Sequence, residues 1–221
     1  MNYLFDQKKA EKELNKFFIN NKRNINTFGS RVNQTFEAYV FAKTIKYYKD
    51  HSWNMQMINP KNSNHLRLKF STRGAPINFS YCRGEKNNYT IQIRHQLRVD
   101  ILKKYNRQTK PSNICCDIVI MEDENIDSYN TSDSLPNDRL ISFGEIKHMS
   151  AFAELVASFI GLVHELSPNK LKRIRRGNYT KEHLAPFLYV SGLLFSTAGG
   201  IKESLVIRKY DIDIYSYENP L

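Results

Sequence analysis

The pattern of apolar and polar residues predicts three helices along the chain. The first segment, residues 1–24, is basic and has apolar side chains available for packing, and the third, residues 150–166, is apolar nearly all round. The second segment, residues 33–51, has a repeat that places its apolar side chains on one face of a helix. These side chains are Phe36, Val40, Phe41, Ile45 and Tyr48.

Shorter runs with alternating or continuous apolar residues predict strands. Two of them, residues 77–84 and 89–99, are joined by the polar turn Glu-Lys-Asn-Asn and predict a hairpin. Residues 113–121 are apolar at nearly every position, as expected for a strand that is covered on both faces. The remaining predicted strands are residues 65–70, 139–149, 186–195 and 204–218, and residues 51–65 are predicted to form a loop.

The order of these elements predicts an α/β protein with a central mixed sheet flanked by helices. At 221 residues the chain is long enough for one good core, so we expect a single domain over residues 1–221. Residues 1–30 are a helical extension in this prediction. Residues 121–138 contain acids and neither Lys nor Arg. This composition predicts a polar surface insertion at residues 122–139, between two core strands.

The chain is strongly basic, with 33 Lys and Arg against 22 Asp and Glu and a formal net charge of +11. Such a charge favours a polyanionic partner, first nucleic acid and second an anionic membrane surface. The densest basic run lies in a predicted loop, whereas a membrane-surface protein would use an amphipathic basic helix. We therefore expect nucleic acid as the partner and no membrane. The cations of the run are Lys170, Lys172, Arg173, Arg175 and Arg176.

Cysteine usage and hydropathy predict where the protein is found. Three cysteines, two of them adjacent at Cys115 and Cys116, do not make a disulfide framework or a four-ligand zinc site. No apolar run reaches the roughly 18–20 residues that span a bilayer, and the first residues lack the apolar core of a secretory signal. We expect a protein of the reducing cytoplasm.

Charged residues interrupt two of the predicted strands, which are otherwise apolar. Because side chains alternate along a strand, one strand is expected to place two apolar and then two charged side chains on one face. These are Ile141, Phe143, Glu145 and Lys147. Pairing with the neighbouring strand would bring the isolated acid Asp117 beside Glu145, and two buried carboxylates need a positive charge between them. Lys147 could supply it as an ordinary ion pair, and a divalent cation such as Mg²⁺ could supply it as a metal site.

An isolated acid on one strand and Glu-x-Lys on the next resemble the PD-(D/E)XK, or restriction-endonuclease-like, nuclease superfamily. That family has an αβββαβ core, with an acid on the second core strand, Glu-x-Lys on the third and, in many members, a Glu on the first core helix. In this chain Asp117 matches the isolated acid, and Glu145 and Lys147 match Glu-x-Lys. Glu37 matches the helix acid, although the helix dipole alone also favours a Glu near a helix start.

The resemblance covers about residues 30–195 in the order of elements and four residues in motif. Two departures accompany it. Cys116 stands where the family usually has proline, and the acidic insertion lengthens the spacer between the two motif strands. Neither departure changes a residue that the family uses as a metal ligand.

The resemblance implies a Mg²⁺-dependent endonuclease that hydrolyses phosphodiester bonds, in which Mn²⁺ can replace Mg²⁺. Asp117 and Glu145 would bind the metal with the Ile146 carbonyl, and Glu37 would bind a second ion or a metal-bound water. Lys147 would orient the water nucleophile, and the products would carry a 5′-phosphate and a 3′-hydroxyl. DNA is the expected substrate rather than RNA, in restriction, anti-phage defence, repair or junction resolution.

Basic residues from two segments would hold the nucleic-acid backbone. One segment is the basic run already named, and the other is the predicted hairpin strand with Arg94 and Arg98. Such an enzyme could act as a homodimer that cuts both strands. The alternative function is a nucleic-acid-binding domain of the same fold that does not cut and acts as a subunit of a larger complex. A membrane-surface protein is a third alternative. The intact Asp117, Glu145 and Lys147 favour the enzyme, because binding alone does not need all three.

Overall fold

The computed structural model describes residues 5–19, 32–61, 63–101, 112–167, 183–192, 212–217 and 221. Within these residues the chain forms three helices and one seven-stranded mixed sheet. The helices are α1 (Gln7–Ile19), α2 (Val32–Asp50) and α3 (Ala153–Leu166). The strands are β1 (Asn54–Ile58), β2 (Tyr81–Lys86), β3 (Tyr89–Asp100), β4 (Asn113–Glu122), β5 (Leu140–Lys147), β6 (Phe187–Val190) and β7 (Asp213–Ser216). The prediction of an α/β protein with a mixed sheet is therefore confirmed.

The strands lie in the sheet in the order in which they occur in the chain. Neighbours from β1 to β5 are antiparallel, whereas β5, β6 and β7 are parallel to one another. A parallel pair needs a crossover connection, and the chain passes through α3 between β5 and β6. β5 is therefore the strand at which the sheet changes from antiparallel to parallel.

Hydrophobic residues pack in two clusters on opposite faces of the sheet. The α2-side core contains Phe36 of α2, and the α3-side core contains Phe159 of α3. Residues 118–121 of β4 alternate between the two cores, as the geometry of a strand requires. Ile118 and Ile120 belong to the α2-side core, and Val119 and Met121 belong to the α3-side core. The prediction that β4 is covered on both faces is confirmed.

The alternation in β5 is interrupted near the start of the strand. The register with β4 shifts between Leu140 and Ser142, which leaves Ile141 as an extra residue. A bulge of this kind turns a side chain away from its expected face. Ile141 lies in the α2-side core, whereas Phe143 lies in the α3-side core. The prediction that these two residues share a face is wrong, because it assumed an unbroken strand.

Two predictions between α2 and β2 are also wrong. β1 lies inside the segment that was predicted to be a loop, because its sequence Asn-Met-Gln-Met-Ile is short and poor in β-branched and aromatic residues. Residues 65–70, predicted to be a strand, form none. This segment is held by two hydrogen bonds between Arg67 and Ser80 and by Leu66, which is buried in the α2-side core.

The acidic insertion is anchored by two apolar side chains. Ile126 and Leu135 are fully buried in the α3-side core. The amide of Leu135 donates to the Arg98 carbonyl at 2.8 Å, and the Leu135 carbonyl accepts from the Asp100 amide at 2.9 Å. A segment that was expected to be a polar surface insertion therefore contributes to the core and is hydrogen-bonded to the end of β3.

Helix α1 packs along α2, and its bounds fall within the predicted N-terminal helix. Just before it, the ring of Phe5 lies 4.9 Å from the ring of Phe36, centroid to centroid. None of the helices in the described part of the chain has the length and apolar character needed to cross a bilayer. Some predicted elements extend outside the described residues, at 1–4, 20–24, 193–195, 204–211 and 218.

Candidate active site

Asp117 and Glu145 lie next to each other where the ladder between β4 and β5 ends. The ladder pairs Ile118 with Gly144. Two residues beyond Gly144 on β5, the amide of Ile146 donates a hydrogen bond of 2.8 Å to Asp117 Oδ2. A side-chain oxygen of β4 thus accepts from the backbone of β5, which fixes the Asp117 carboxylate beside Glu145. The prediction that strand pairing brings these two acids together is confirmed.

Lys147 joins the two acids. Its Nζ lies 2.9 Å from Glu145 Oε2 and 3.5 Å from Asp117 Oδ2. The side chains of Glu145 and Asp117 are 9% and 17% exposed, whereas that of Lys147 is 38% exposed. Three of the four predicted catalytic residues therefore meet at a place where Glu145 is buried, Asp117 is partly buried and the ammonium group reaches the surface.

The burial of this group changes its proton affinities. Burial raises the pKa of Glu145 to about 7, and the charge of Asp117 adds to the increase. Burial also raises the pKa of Asp117. Burial alone would lower the pKa of Lys147, but the two acids outweigh it and raise that pKa overall. One ammonium group therefore faces two carboxyl groups whose charged forms are both destabilised, and a further cation at this place would relieve them.

The donor set of the site fits a hard divalent cation. Glu145 Oε1 is buried, and no hydrogen-bond partner for it is present among the described residues. An unsatisfied buried acceptor of this kind is often satisfied by a water or an ion. The same residues contain no group of three or more His, Cys, Asp and Glu side chains that could hold a metal. Mg²⁺ does not need such a group, because it binds through one or two carboxylates and keeps several waters.

Glu37 extends from α2 toward the same acids. Its Oε2 lies 3.2 Å from Nε2 of His95 and 3.2 Å from Nε2 of Gln96. After burial, the charge of Glu37 is among the causes that raise the pKa of Asp117. Glu37 is the sixth residue of α2 as described, beyond the first turn, so the helix dipole does not account for its position.

Gln96 has a left-handed backbone conformation in the middle of β3, with a φ of 50°. The ladder between β3 and β4 is regular on both sides of this residue but skips Gln96 and Asp117, which would be opposite each other. Consecutive side chains of a regular strand point to opposite faces, yet His95 and Gln96 both reach Glu37. The left-handed residue thus lets two neighbouring side chains of β3 hold one carboxylate.

The sequence did not predict His95 and Gln96 as site residues. The side chain of His95 is completely buried, between the rings of Phe41 and Phe70. One signal was available, because His95 stands at a position of β3 where the alternation of Ile and Leu leads one to expect an apolar residue. The neighbouring residue Gln96 gave no comparable signal in the sequence.

The two arginines of β3 that were predicted to bind nucleic acid have different surroundings. Arg94 is buried, with its guanidinium 3.9 Å from the centroid of the Tyr81 ring and its Nε donating to Gln92 Oε1 at 2.7 Å. Burial lowers the pKa of Arg94 to about 10. This packing counts against a direct contact of Arg94 with a phosphate backbone. Arg98 is half-buried, and its Nη1 donates to Asn113 Oδ1 at 3.4 Å.

The other predicted nucleic-acid-binding residues cannot be placed in this site. They are Lys170, Lys172, Arg173, Arg175 and Arg176, and all five lie outside the described residues.

Neither a protein-family model nor a curated protein sequence matches this chain. The geometry of the site is therefore the basis for a functional proposal.

Proposed function

We propose that this protein is a Mg²⁺-dependent nuclease that hydrolyses phosphodiester bonds in DNA, with a role in restriction, anti-phage defence or DNA repair. One observation carries the proposal: Asp117 and Glu145 lie side by side, both mostly shielded from solvent, with the Lys147 ammonium 2.9 Å from Glu145. Two carboxylates so placed suit a divalent cation, and an ammonium group beside them can stabilise charge that develops on a phosphate.

The order of elements supports a restriction-endonuclease-like core. α2, β3, β4, β5, α3 and β6 occur in the αβββαβ order, with β1 and β2 inserted after α2. Asp117 is then on the second core strand, and Glu145 and Lys147 are on the third. β1 and β2 extend the sheet at one edge and β7 extends it at the other. In this interpretation the insertion at residues 122–139 is an elaboration of the connection between the two motif strands.

Each residue of the site has a role in this mechanism. Asp117 and Glu145 would hold Mg²⁺, together with the carbonyl of Ile146. Bound Mg²⁺ polarises the phosphodiester and lowers the pKa of a water. Lys147 would keep its proton at neutral pH, because the two acids outweigh the effect of burial on its pKa. Its ammonium would orient the attacking water and offset the charge that grows on the phosphate oxygens.

Glu37 would serve the site from the side of α2. His95 and Gln96 both contact Oε2 of this carboxylate. Oε1 is then left for a second ion or for a water bound to the first ion. A hydrogen bond from Gln96 and the close approach of His95 can orient this carboxylate before a metal arrives, which is why we assign Glu37 to the metal site.

Cleavage by the purified protein tests the proposal. Supercoiled plasmid, single-stranded DNA and RNA are incubated with Mg²⁺, Mn²⁺ or EDTA. We expect cleavage of DNA with either metal, no cleavage in EDTA, and a loss in rate of about 10²-fold or more for Glu145→Gln and for Lys147→Met. Glu154→Gln and Lys12→Met are the matched controls, because they remove the same groups at exposed positions. Equal residual nicking in all five proteins would identify a contaminating nuclease and contradict the proposal.

A second candidate function is a nucleic-acid-binding subunit that does not cut. Lys147 contacts both acids, and an ion pair of this kind can complete the site without a metal. The part of the chain that the structure describes also has no group of three metal-binding side chains. Binding of labelled DNA by the wild type, with no cleavage under any divalent cation, would decide for this function.

A further inference from the structure

Lys69 is a buried cation in the segment that precedes β2. It is 4% exposed, its Nζ lies 5.9 Å from the centroid of the Phe79 ring, and its side chain lines a small cavity together with Gln96. Lysine is almost never buried without a paired acid. Burial lowers the pKa of Lys69, Cys115 opposes this effect, and the neighbouring cation Arg98 adds to it. The charged neighbour of Lys69 in the described chain is therefore another cation.

Arg98 also lacks good partners. Its one hydrogen bond to a side chain among the described residues, to Asn113 Oδ1, is 3.4 Å long, beyond the usual range. Its Nε is buried and has no hydrogen-bond partner in the same part of the chain. Two neighbouring cations, one almost completely buried, thus lie together with no carboxylate in contact in the described structure. An external anion would compensate both.

Arg98 lies one strand step from the candidate active site. Arg98 pairs with Cys115 in the ladder between β3 and β4. Cys115 precedes Asp117 by two residues on β4, and such residues are about 6.6 Å apart along a strand. Burial raises the pKa of the Cys115 thiol, and four charged side chains act on it after burial: Lys69, Asp117, Arg98 and Glu145. By the ladder, Cys115 is opposite Arg98 and is followed two residues later by Asp117.

We propose that Lys69 and Arg98 form a subsite for a phosphate group of the nucleic-acid strand, adjacent to the phosphodiester that would be cleaved at Asp117 and Glu145. This inference rests on the proposed function of the neighbouring site. A phosphate accepts hydrogen bonds from an ammonium and from the fork of a guanidinium, and Nε–H of that fork is the donor left without a partner in Arg98. Arg98 and Cys115 are partly exposed, so a phosphate can approach from their side.

Binding of a fluorescein-labelled single-stranded DNA tests the subsite without cleavage. Anisotropy is measured in EDTA at several salt concentrations. Lys69→Met is expected to weaken binding and to reduce the slope of log K against log salt by about 1, because one phosphate contact is lost. Arg67→Met is the matched control. Arg67 is exposed, lies two residues from Lys69 and has its guanidinium 5.5 Å from the same Phe79 ring, and its loss should leave the slope unchanged.

Thermal unfolding without DNA distinguishes a ligand-binding lysine from a structural one. Lys69→Met removes a buried charge that has no acid partner, so this variant is expected to unfold at the wild-type temperature or above it. A lower unfolding temperature together with an unchanged salt slope would assign Lys69 a structural role and overturn the proposal. Arg98→Gln, at a partly exposed position, is the second variant and should show the same loss of slope.

Oligonucleotides with a 5′-phosphate and with a 5′-hydroxyl identify the source of the phosphate. If the wild type binds the 5′-phosphate form more tightly and Lys69→Met does not, the subsite takes a terminal monoester. Equal binding of both forms, with the slope still reduced in Lys69→Met, assigns an internal diester. A wild-type slope in both Lys69→Met and Arg98→Gln, or no DNA binding by the wild type, overturns the subsite. A reduced slope in a protein that never cleaves DNA would contradict the proposed nuclease and leave the subsite standing.

Discussion

Each acid of the candidate site is held by a different local contact. The backbone amide of Ile146 holds Asp117, and the ammonium of Lys147 contacts Glu145. Glu37 is contacted by two side chains of β3. Carboxylates that are oriented by such contacts need little rearrangement when a ligand binds. The arrangement also depends on single residues, which makes it testable residue by residue.

The backbone of Gln96 gives a prediction at the residue scale. A left-handed conformation costs a residue with a Cβ about 1–2 kcal/mol, and glycine adopts it without this cost. We expect Gln96→Gly to have a free energy of unfolding about 1 kcal/mol higher than Gln96→Ala, measured by urea denaturation. Both variants lose the contact with Glu37, so the difference between them reports the backbone.

The same pair of substitutions at Gln92 is the control for this prediction. Gln92 lies on the same strand, and its φ is not among the positive values found in the described chain. Glycine weakens a regular strand relative to alanine, so Gln92→Gly should be less stable than Gln92→Ala. If alanine were also the more stable substitution at Gln96, the left-handed conformation would not be the one that the protein adopts in solution.

At the scale of elements, the sequence predicted those helices and strands whose apolar residues follow a regular pattern. The long apolar runs predicted that β4 and β5 are strands, and an acid in such a run is conspicuous enough to single out Asp117. Glu145 was found in the same way. A regular pattern does not reveal where a strand is irregular. The extra residue Ile141 in β5 and the left-handed Gln96 in β3 are two such irregularities. The contribution of Gln96 could not be predicted for this reason, because its side chain reaches Glu37 only through its own left-handed backbone.

The acidic insertion gives a prediction at this scale. Leu135 is fully buried in the α3-side core and is hydrogen-bonded to β3. Leu135→Ala is therefore expected to lower the free energy of unfolding by about 2–5 kcal/mol. Thr131→Ala, an exposed position in the same insertion, should change it by no more than about 0.5 kcal/mol. Urea denaturation followed by circular dichroism measures both. Similar small effects of the two substitutions would mean that the insertion is a surface loop that does not belong to the core.

At the scale of the whole molecule, the charge of the protein and the charge of the site are opposite in sign. A net charge of +11 attracts a polyanion over a distance. The acids Asp117 and Glu145 repel a phosphate at close range until a cation compensates them. A divalent cation would therefore both complete the site and remove the repulsion. This coupling is reciprocal, so DNA should in turn strengthen binding of the metal.

The stability of the whole protein should depend on pH through one of these acids. Burial, and then the charge of Asp117, raise the pKa of Glu145 from 4.5 to about 7. The folded protein thus binds this proton more tightly than the unfolded chain does. The resulting stabilisation is complete below about pH 4.5 and is lost as the pH rises to about 7. In EDTA, we expect the free energy of unfolding of the wild type to fall relative to that of Glu145→Gln across this window, because glutamine does not ionise.

Mg²⁺ should reverse this dependence, because a metal ligand must lose its proton before it binds. At a fixed Mg²⁺ concentration, the rise in unfolding temperature of the wild type should increase from pH 4.5 to pH 7. Glu145→Gln should show little stabilisation at any pH, and Glu154→Gln should behave like the wild type. Differential scanning fluorimetry across this range measures all three proteins. Parallel pH curves for the wild type and Glu145→Gln, with and without Mg²⁺, would show that Glu145 neither titrates in this window nor binds the metal.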